Sequence, residues 1–208
     1  DLLHLDKSDA LTRLLKIIAS QIGGMVNYSE LGSTIGISEK TVKKYLWYLE
    51  KTFVLYRLSP FFTNVRKEVS KSPVYYFHDI GLRNYMLGFF TDFSAIETQG
   101  HILENFIYKL LLERTRHTSS KIHYWRSRDD AEVDFILASG ISLIPYEVKF
   151  SSKADGTRSF MNFINRYHPQ DAYVVYLGVR SQKVHESTNI YVVHYSDLMG
   201  INDKRLAL

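Results

Sequence analysis

The hydrophobic period of this chain changes once, near residue 95, and that change limits the folds open to it. Before it, apolar residues recur mostly at helical spacing. After it, alternating apolar and polar runs dominate, as in strands with one buried face. The chain therefore reads as two parts, 1–95 and 96–208, and 208 residues are enough for two small domains with cores of their own.

The first part opens with a helix. Leu11, Leu14, Leu15, Ile18 and Ile22 fall on one stripe after Ser8, which stands at the N-cap position, and Gly23-Gly24 closes the helix. A second helix is predicted over 29–35 and ended by Gly36; a third opens at Ser38 and runs to Glu50. Phe53–Leu58 and Val74–Phe77 read as two strands, with a basic turn around Arg66 and Lys67 between them. Leu31, Ile35, Ile37, Val42, Tyr45, Leu46 and Leu49 supply a trihelical core. This order is that of a winged helix-turn-helix. A short helix is predicted over 79–87.

The second part begins with a helix over 98–114, its buried stripe formed by Ile102, Leu103, Phe106, Leu110 and Leu111. Strands are expected at 121–126, 132–138 and 142–150, then a helix over 157–167 and strands at 172–177 and 189–194. The fold class is thus α/β (α+β), with a mixed sheet in the second part.

Several function classes drop out. There is no Cys, which excludes a disulfide scaffold, a thiolate zinc site and a Cys nucleophile, and fits a reducing, cytoplasmic compartment. The eight His include no H-x-x-x-H pair. No apolar run approaches the roughly 20 residues of a membrane span. The first residues lack the features of a signal peptide, and the start at Asp1 in place of Met leads us to expect a fragment of a longer protein. The net charge of +4 is modest, but the stretch 39–71 holds eight basic against three acidic residues, a net of +5. Lys40, Thr41, Lys43 and Lys44 on the third helix, with Arg66 and Lys67 in the turn, are therefore candidate DNA contacts.

Three places carry chemistry: Glu104 on the long helix, Asp134 within Glu132-Val133-Asp134-Phe135, and Glu147 and Lys149 within Glu147-Val148-Lys149. Alternation puts Glu147 and Lys149 on one face of their strand, and Glu132 and Asp134 on the face opposite Val133 and Phe135. Charged residues on internal strands are costly unless paired or bound to metal. Carboxylates beside a lysine suit phosphodiester cleavage at a divalent cation.

The spacing of Asp134 and Glu147-Val148-Lys149 resembles the PD-(D/E)XK nuclease superfamily, and Glu104 matches the extra acid frequent there. Glu132-Val133 stands where that superfamily often carries Pro-Asp. The wider pattern resembles the C-terminal region that follows the ATPase domain of many bacterial and archaeal AAA-type ATPases. It runs from Val74-Tyr75-Tyr76-Phe77-His78-Asp79-Ile80-Gly81-Leu82-Arg83 through Gly100–Phe106 and Tyr124-Trp125-Arg126 to Glu147-Val148-Lys149. The resemblance covers about 10–180. It implies a Mg²⁺ or Mn²⁺ ion held by Asp134, Glu147, the Val148 carbonyl and Glu104, with Glu104, Asp134, Glu147 and Lys149 as the catalytic set. It also implies an ATPase domain of the same protein as partner. No G-x-x-x-x-G-K-[ST] occurs, so ATP is expected only through a domain absent from this chain. Three functions stay open: a metal-dependent DNA nuclease, a non-catalytic DNA-docking or regulatory region with a vestigial nuclease fold, and a protein-interaction module that contacts the ATPase domain.

Overall fold

The computed structural model describes residues 8–62, 72–89, 99–127, 129, 131–151 and 156–199. Arg66 and Lys67 lie outside the described residues. The chain divides into two compact units, 1–58 with 72–97, and 59–71 with 98–208.

In the first unit, α1 (Ser8–Ser20), α2 (Tyr28–Ile35) and α3 (Glu39–Lys51) are followed by β1 (Leu55–Leu58), β2 (Val74–Phe77) and α4 (Ile80–Leu87). Each boundary has a local cause. Asn27 caps α2, its side chain accepting from the Ser29 and Glu30 N–H groups. Gly36, at φ +81°, ends the same helix in the left-handed region. Gly32 is also required, because a Cβ there would lie 2.7 Å from the Ile37 carbonyl oxygen. Ser38 caps α3 by accepting from Thr41 N–H. Leu14, Ile18, Leu31, Ile35, Val42, Leu46 and Leu49 are buried together with Leu55, Leu58, Val74 and Phe77.

The run 53–58 is shorter as a strand than its sequence suggests. Phe53 has a φ of +57° and is 74% exposed, so it turns the chain out of α3 and β1 starts only at Leu55. β1 and β2 pair antiparallel, from Leu55–Phe77 to Leu58–Val74. Asp79 caps α4 through the Gly81 and Leu82 N–H groups. Arg83 on α4 is fully buried and donates from Nε to the Ala19 carbonyl, in the last turn of α1, and from Nη1 to Asn84 Oδ1. The motif Asp79-Ile80-Gly81-Leu82-Arg83 thus starts one helix and closes another.

The second unit begins with α5 (Gln99–Thr115), then β3 (Lys121–Arg126), β4 (Glu132–Ser139), β5 (Ser142–Val148), α6 (Arg158–Tyr167), β6 (Asp171–Tyr176), β7 (Ser181–His185), β8 (Thr188–His194) and a 3₁₀ turn, Tyr195–Met199. One six-stranded mixed sheet has the order β3-β4-β5-β6-β8-β7. β3, β4 and β5 form an antiparallel meander; β5, β6 and β8 are parallel; β7 is antiparallel to β8. β7 is a strand the sequence pattern does not announce. It is an edge strand of Ser, Gln, Lys, Val and His, and even Val184 is 66% exposed, so it shows no buried period. α5 buries Ile102, Leu103, Asn105, Ile107, Tyr108, Leu111 and Thr115, a wider face than the predicted stripe. Phe106 is half-buried and meets Tyr195 edge-on.

Alternation also fails at one point of β4. His123 pairs with Ile136 and Trp125 with Val133, so Tyr124 alone lies opposite both Asp134 and Phe135. The extra residue is a β-bulge. Val133 and Ile136 consequently share one apolar layer with Phe160, Phe163 and Val174, while Phe135 stacks on Tyr108 of α5, ring centroids 5.6 Å apart. Val133 and Phe135 therefore do not share the face that strict alternation assigns them.

No helix among the described residues is long and apolar enough to cross a membrane.

Candidate active site

Three of the four chemistry-bearing residues sit where β4 and β5 part. The last ladder pair there is Phe135–Tyr146, and one step further Asp134 falls opposite Glu147. Asp134 Oδ2 accepts the Val148 N–H at 2.7 Å, so its carboxylate takes the place of a ladder partner. The Lys149 N–H continues β5 in the other direction by donating to the Val175 carbonyl. β5 itself ends at Val148, two residues before the predicted limit, so Lys149 and Phe150 follow the strand.

Glu147 is 2% exposed. Its Oε1 receives both the Lys149 ammonium, at 2.6 Å, and the Thr157 hydroxyl, at 2.9 Å. Its Oε2 is buried and accepts no hydrogen bond among the described residues. Glu104 on α5 pairs through Oε2 with His101 Nδ1 at 3.0 Å. Its charge acts on Asp134, Glu132 and Lys149, which brings it into the same electrostatic group.

The proton affinities record that grouping. Asp134 is raised well above the usual carboxylate range, first by loss of water, then by the Glu104 and Glu147 charges; the Val148 N–H and Lys149 oppose this only in part. Glu132 is raised mainly by burial, against the pull of Arg126. For Lys149, burial lowers the affinity for a proton, but the bond to Glu147 and the charges of Glu147, Asp134 and Glu104 outweigh it, so the ammonium form is held above its ordinary range.

The donor set fits a hard divalent cation. Three carboxylates interact with one ammonium, one carboxylate oxygen is buried without a partner among the described residues, and oxygen ligands are what Mg²⁺ and Mn²⁺ take. Among the described residues, no three His, Asp or Glu groups stand close enough together to form a ready cage, and Lys149 and Thr157 both occupy Glu147 Oε1.

Thr157 escapes a motif search. It is the N-cap of α6: its hydroxyl accepts from Phe160 N–H and donates to Glu147. The only signal in the sequence is a Thr ahead of an amphipathic helix. Thr157→Val should cost about 1–2 kcal/mol of stability by removing the cap, measured by urea denaturation. Thr157→Ser should restore it.

The candidate DNA contacts of α3 divide. Lys40 and Lys44 are exposed, and with Trp47 and Lys51 they form one stripe at i, i+4, i+7 and i+11. Trp47 is 52% exposed and has the Lys51 ammonium 5.9 Å from its ring centroid. Lys43 instead pairs with Glu39 at 2.5 Å, and the Thr41 hydroxyl is engaged with Ser38 in the helix cap. Trp47 is the residue the charge count overlooks, since it carries no charge.

Each part of the chain is similar to a family of domains. Residues 1–92 match the model "Domain of unknown function (DUF8612)" and residues 99–198 match "Domain of unknown function (DUF4143)". Uncharacterized protein Rv2008c of Mycobacterium tuberculosis and Uncharacterized protein Mb2031c of Mycobacterium bovis are each 26% identical to it over 171 residues, 81% of this chain. The match takes in 38% of the length of these curated relatives, so the chain is similar to one region of two longer proteins.

Proposed function

We propose that the second unit is a metal-dependent DNA nuclease of the PD-(D/E)XK kind and that the first is a DNA-binding winged helix. We further propose that both form the C-terminal part of a cytoplasmic AAA-type ATPase. The observation that carries the reading is the junction of β4 and β5, where the Asp134 carboxylate is bonded to the backbone between Glu147 and Lys149. A structural acid on an internal strand has no need of a second and a third acid beside it. A site that must gather positive charge on a phosphodiester does.

Asp134, Glu147, the Val148 carbonyl and Glu104 would hold Mg²⁺ or Mn²⁺, which when bound neutralises charge on the phosphate and acidifies a water ligand. The protein's own part follows from its contacts. Thr157 fixes Glu147 from the α6 cap. The Val148 N–H fixes Asp134. Lys149 stays protonated and, freed from Glu147, orients the attacking water and meets the charge that develops on phosphorus.

A plasmid-nicking assay with Mn²⁺, run beside a calorimetric titration of the metal, tests this. Lys149→Met should remove nicking and leave metal binding in place, because the ammonium is not a ligand. Asp134→Ala should remove both. The short Lys149–Glu147 pair supports a second reading, a docking region in which this pair replaces the cation. A wild type that neither binds the metal nor cleaves selects that reading.

The exposed stripe of Lys40, Lys44, Trp47 and Lys51 supports DNA binding by α3. Replacing the three lysines with Ala should weaken duplex binding and lower the slope of log affinity against log salt by about 0.9 for each phosphate no longer neutralised, measured by fluorescence anisotropy.

A further inference from the structure

The second unit also holds a cleft that none of the roles above uses, lined by the chain neighbours of Glu132 and Thr157. It has a volume of about 720 Å³ and is walled by α6 on one side and by the turn from β3 to β4 on the other. Arg158, Asn162 and Arg166 project from α6 at i, i+4 and i+8, one stripe of a helix whose opposite face buries Phe160, Phe163 and Ile164. Across from them are Trp125, Ser127 and Asp129. The Ser127 hydroxyl accepts from the Asp129 and Ala131 N–H groups.

Charge decides what the cleft can hold. Arg158 and Arg166 are exposed, and neither forms an ion pair among the described residues. Arg166 lies 5.5 Å from the Tyr167 ring centroid, which steadies its guanidinium. Two guanidiniums against Asp129 make the cleft a receptor for anions, and a planar guanidinium binds phosphate through two parallel N–H donors. Eight residues of helix separate the two by about 12 Å, the axial length of roughly three to four nucleotides stacked at 3.4 Å. A strand laid along the stripe meets both. Two chain neighbours tie the cleft to the acidic group. Arg158 follows Thr157, whose hydroxyl is on Glu147, and Ala131 precedes Glu132, whose charge interacts with Glu104 and Glu147.

We infer that this cleft grips the sugar-phosphate backbone of the nucleic-acid strand leading to Glu147, with Arg158 and Arg166 on phosphates about three to four nucleotides apart and Asn162 on the backbone between them. The inference rests on the nuclease reading for the identity of the ligand.

The test is binding of a fluorescein-labelled 12-nucleotide single-stranded DNA to the 208-residue chain in EDTA, followed by anisotropy over a range of salt. Lys40, Lys44 and Lys51 are replaced by Ala throughout to silence α3. Arg158→Ala and Arg166→Ala should each lower affinity about tenfold and flatten the salt slope by about 0.7. Arg158→Lys should recover the slope but only part of the affinity, since an ammonium keeps the charge and loses the paired donors. Both side chains are exposed, so the variants fold. Unchanged affinity and slope in the double Ala variant overturns the inference. Loss of binding in that variant, in a wild type that never cleaves with Mn²⁺, upholds the cleft and rejects the nuclease. Cleavage with arginine-insensitive binding does the reverse.

Discussion

Asp134→Asn is expected to abolish strand cleavage and, in the metal-free protein at pH 7, to raise the melting temperature. Asp134 is desolvated and sits in the field of Glu104 and Glu147, so its ionised form is disfavoured in the folded chain. The sign follows from proton binding. A carboxyl whose affinity for a proton is higher in the native state than in the unfolded one gives the native state an excess proton between the two titration midpoints. Stability is therefore lost as pH climbs from the ordinary aspartate range, about 4, through the raised native value. Asn cannot ionise and retains an oxygen for the Val148 N–H. Thermal scans from pH 4 to pH 8 in EDTA should show the gap between variant and wild type opening with pH. A rise of about 2–4 °C at pH 7 would correspond to about 1 kcal/mol in a chain of this size. Saturating Mn²⁺ should close the gap by stabilising the wild type alone, by about 2.7 kcal/mol at a hundred times the dissociation constant. A variant less stable than wild type at every pH would show that Asp134 is a structural acid.

Arg83→Met should be the most damaging single change in the first unit. The guanidinium is fully buried, and burial lowers its proton affinity, so it carries its charge at a cost. That cost is offset by its bonds, including those to the Ala19 carbonyl and Asn84. Ala19 is itself buried in the last turn of α1, where carbonyls have no partner within the helix. Met restores much of the volume but leaves that carbonyl dry and unpaired, at a cost of roughly 2–3 kcal/mol. Arg83→Ala adds a cavity and should cost more. Urea denaturation gives both values. A loss below about 0.5 kcal/mol for Met would mean that water reaches the end of α1.

Most of this fold can be read from spacing, and the exceptions have physical causes. Alternation finds β3, β4, β5, β6 and β8 because each buries at least one face. It misses β7, which buries neither, and it mis-assigns Phe135, because a bulge adds a residue without altering composition. Glycine and cap chemistry find the turn between α2 and α3, since Gly36 and Ser38 act through their own backbone and hydroxyl. The sequence reading names Asp134, Glu147 and Lys149, which meet at the β4–β5 junction. It is silent on Thr157 and on the arginine stripe of α6, for which the relevant distance is set by the parallel pairing of β5 with β6 and not by neighbours in sequence. Spacing does not show that Arg83 is buried, because its partner is the carbonyl at the end of α1, 64 positions away.

The antiparallel meander has a consequence for the order in which the molecule assembles. Asp134 and Glu147 are joined by one hairpin, whose tight end is the Ser139–Ser142 pair with Gly140 at φ +58°. Such a hairpin closes in about 1–10 μs, whereas the parallel β5–β6 pairing must wait until α6 has crossed over the sheet. The acidic pair is thus expected to form locally, before most of the sheet. Thr157 and the arginines reach it only with the crossover. Gly140→Val, which forces a β-branched residue into the left-handed region, should therefore slow refolding far more than it speeds unfolding.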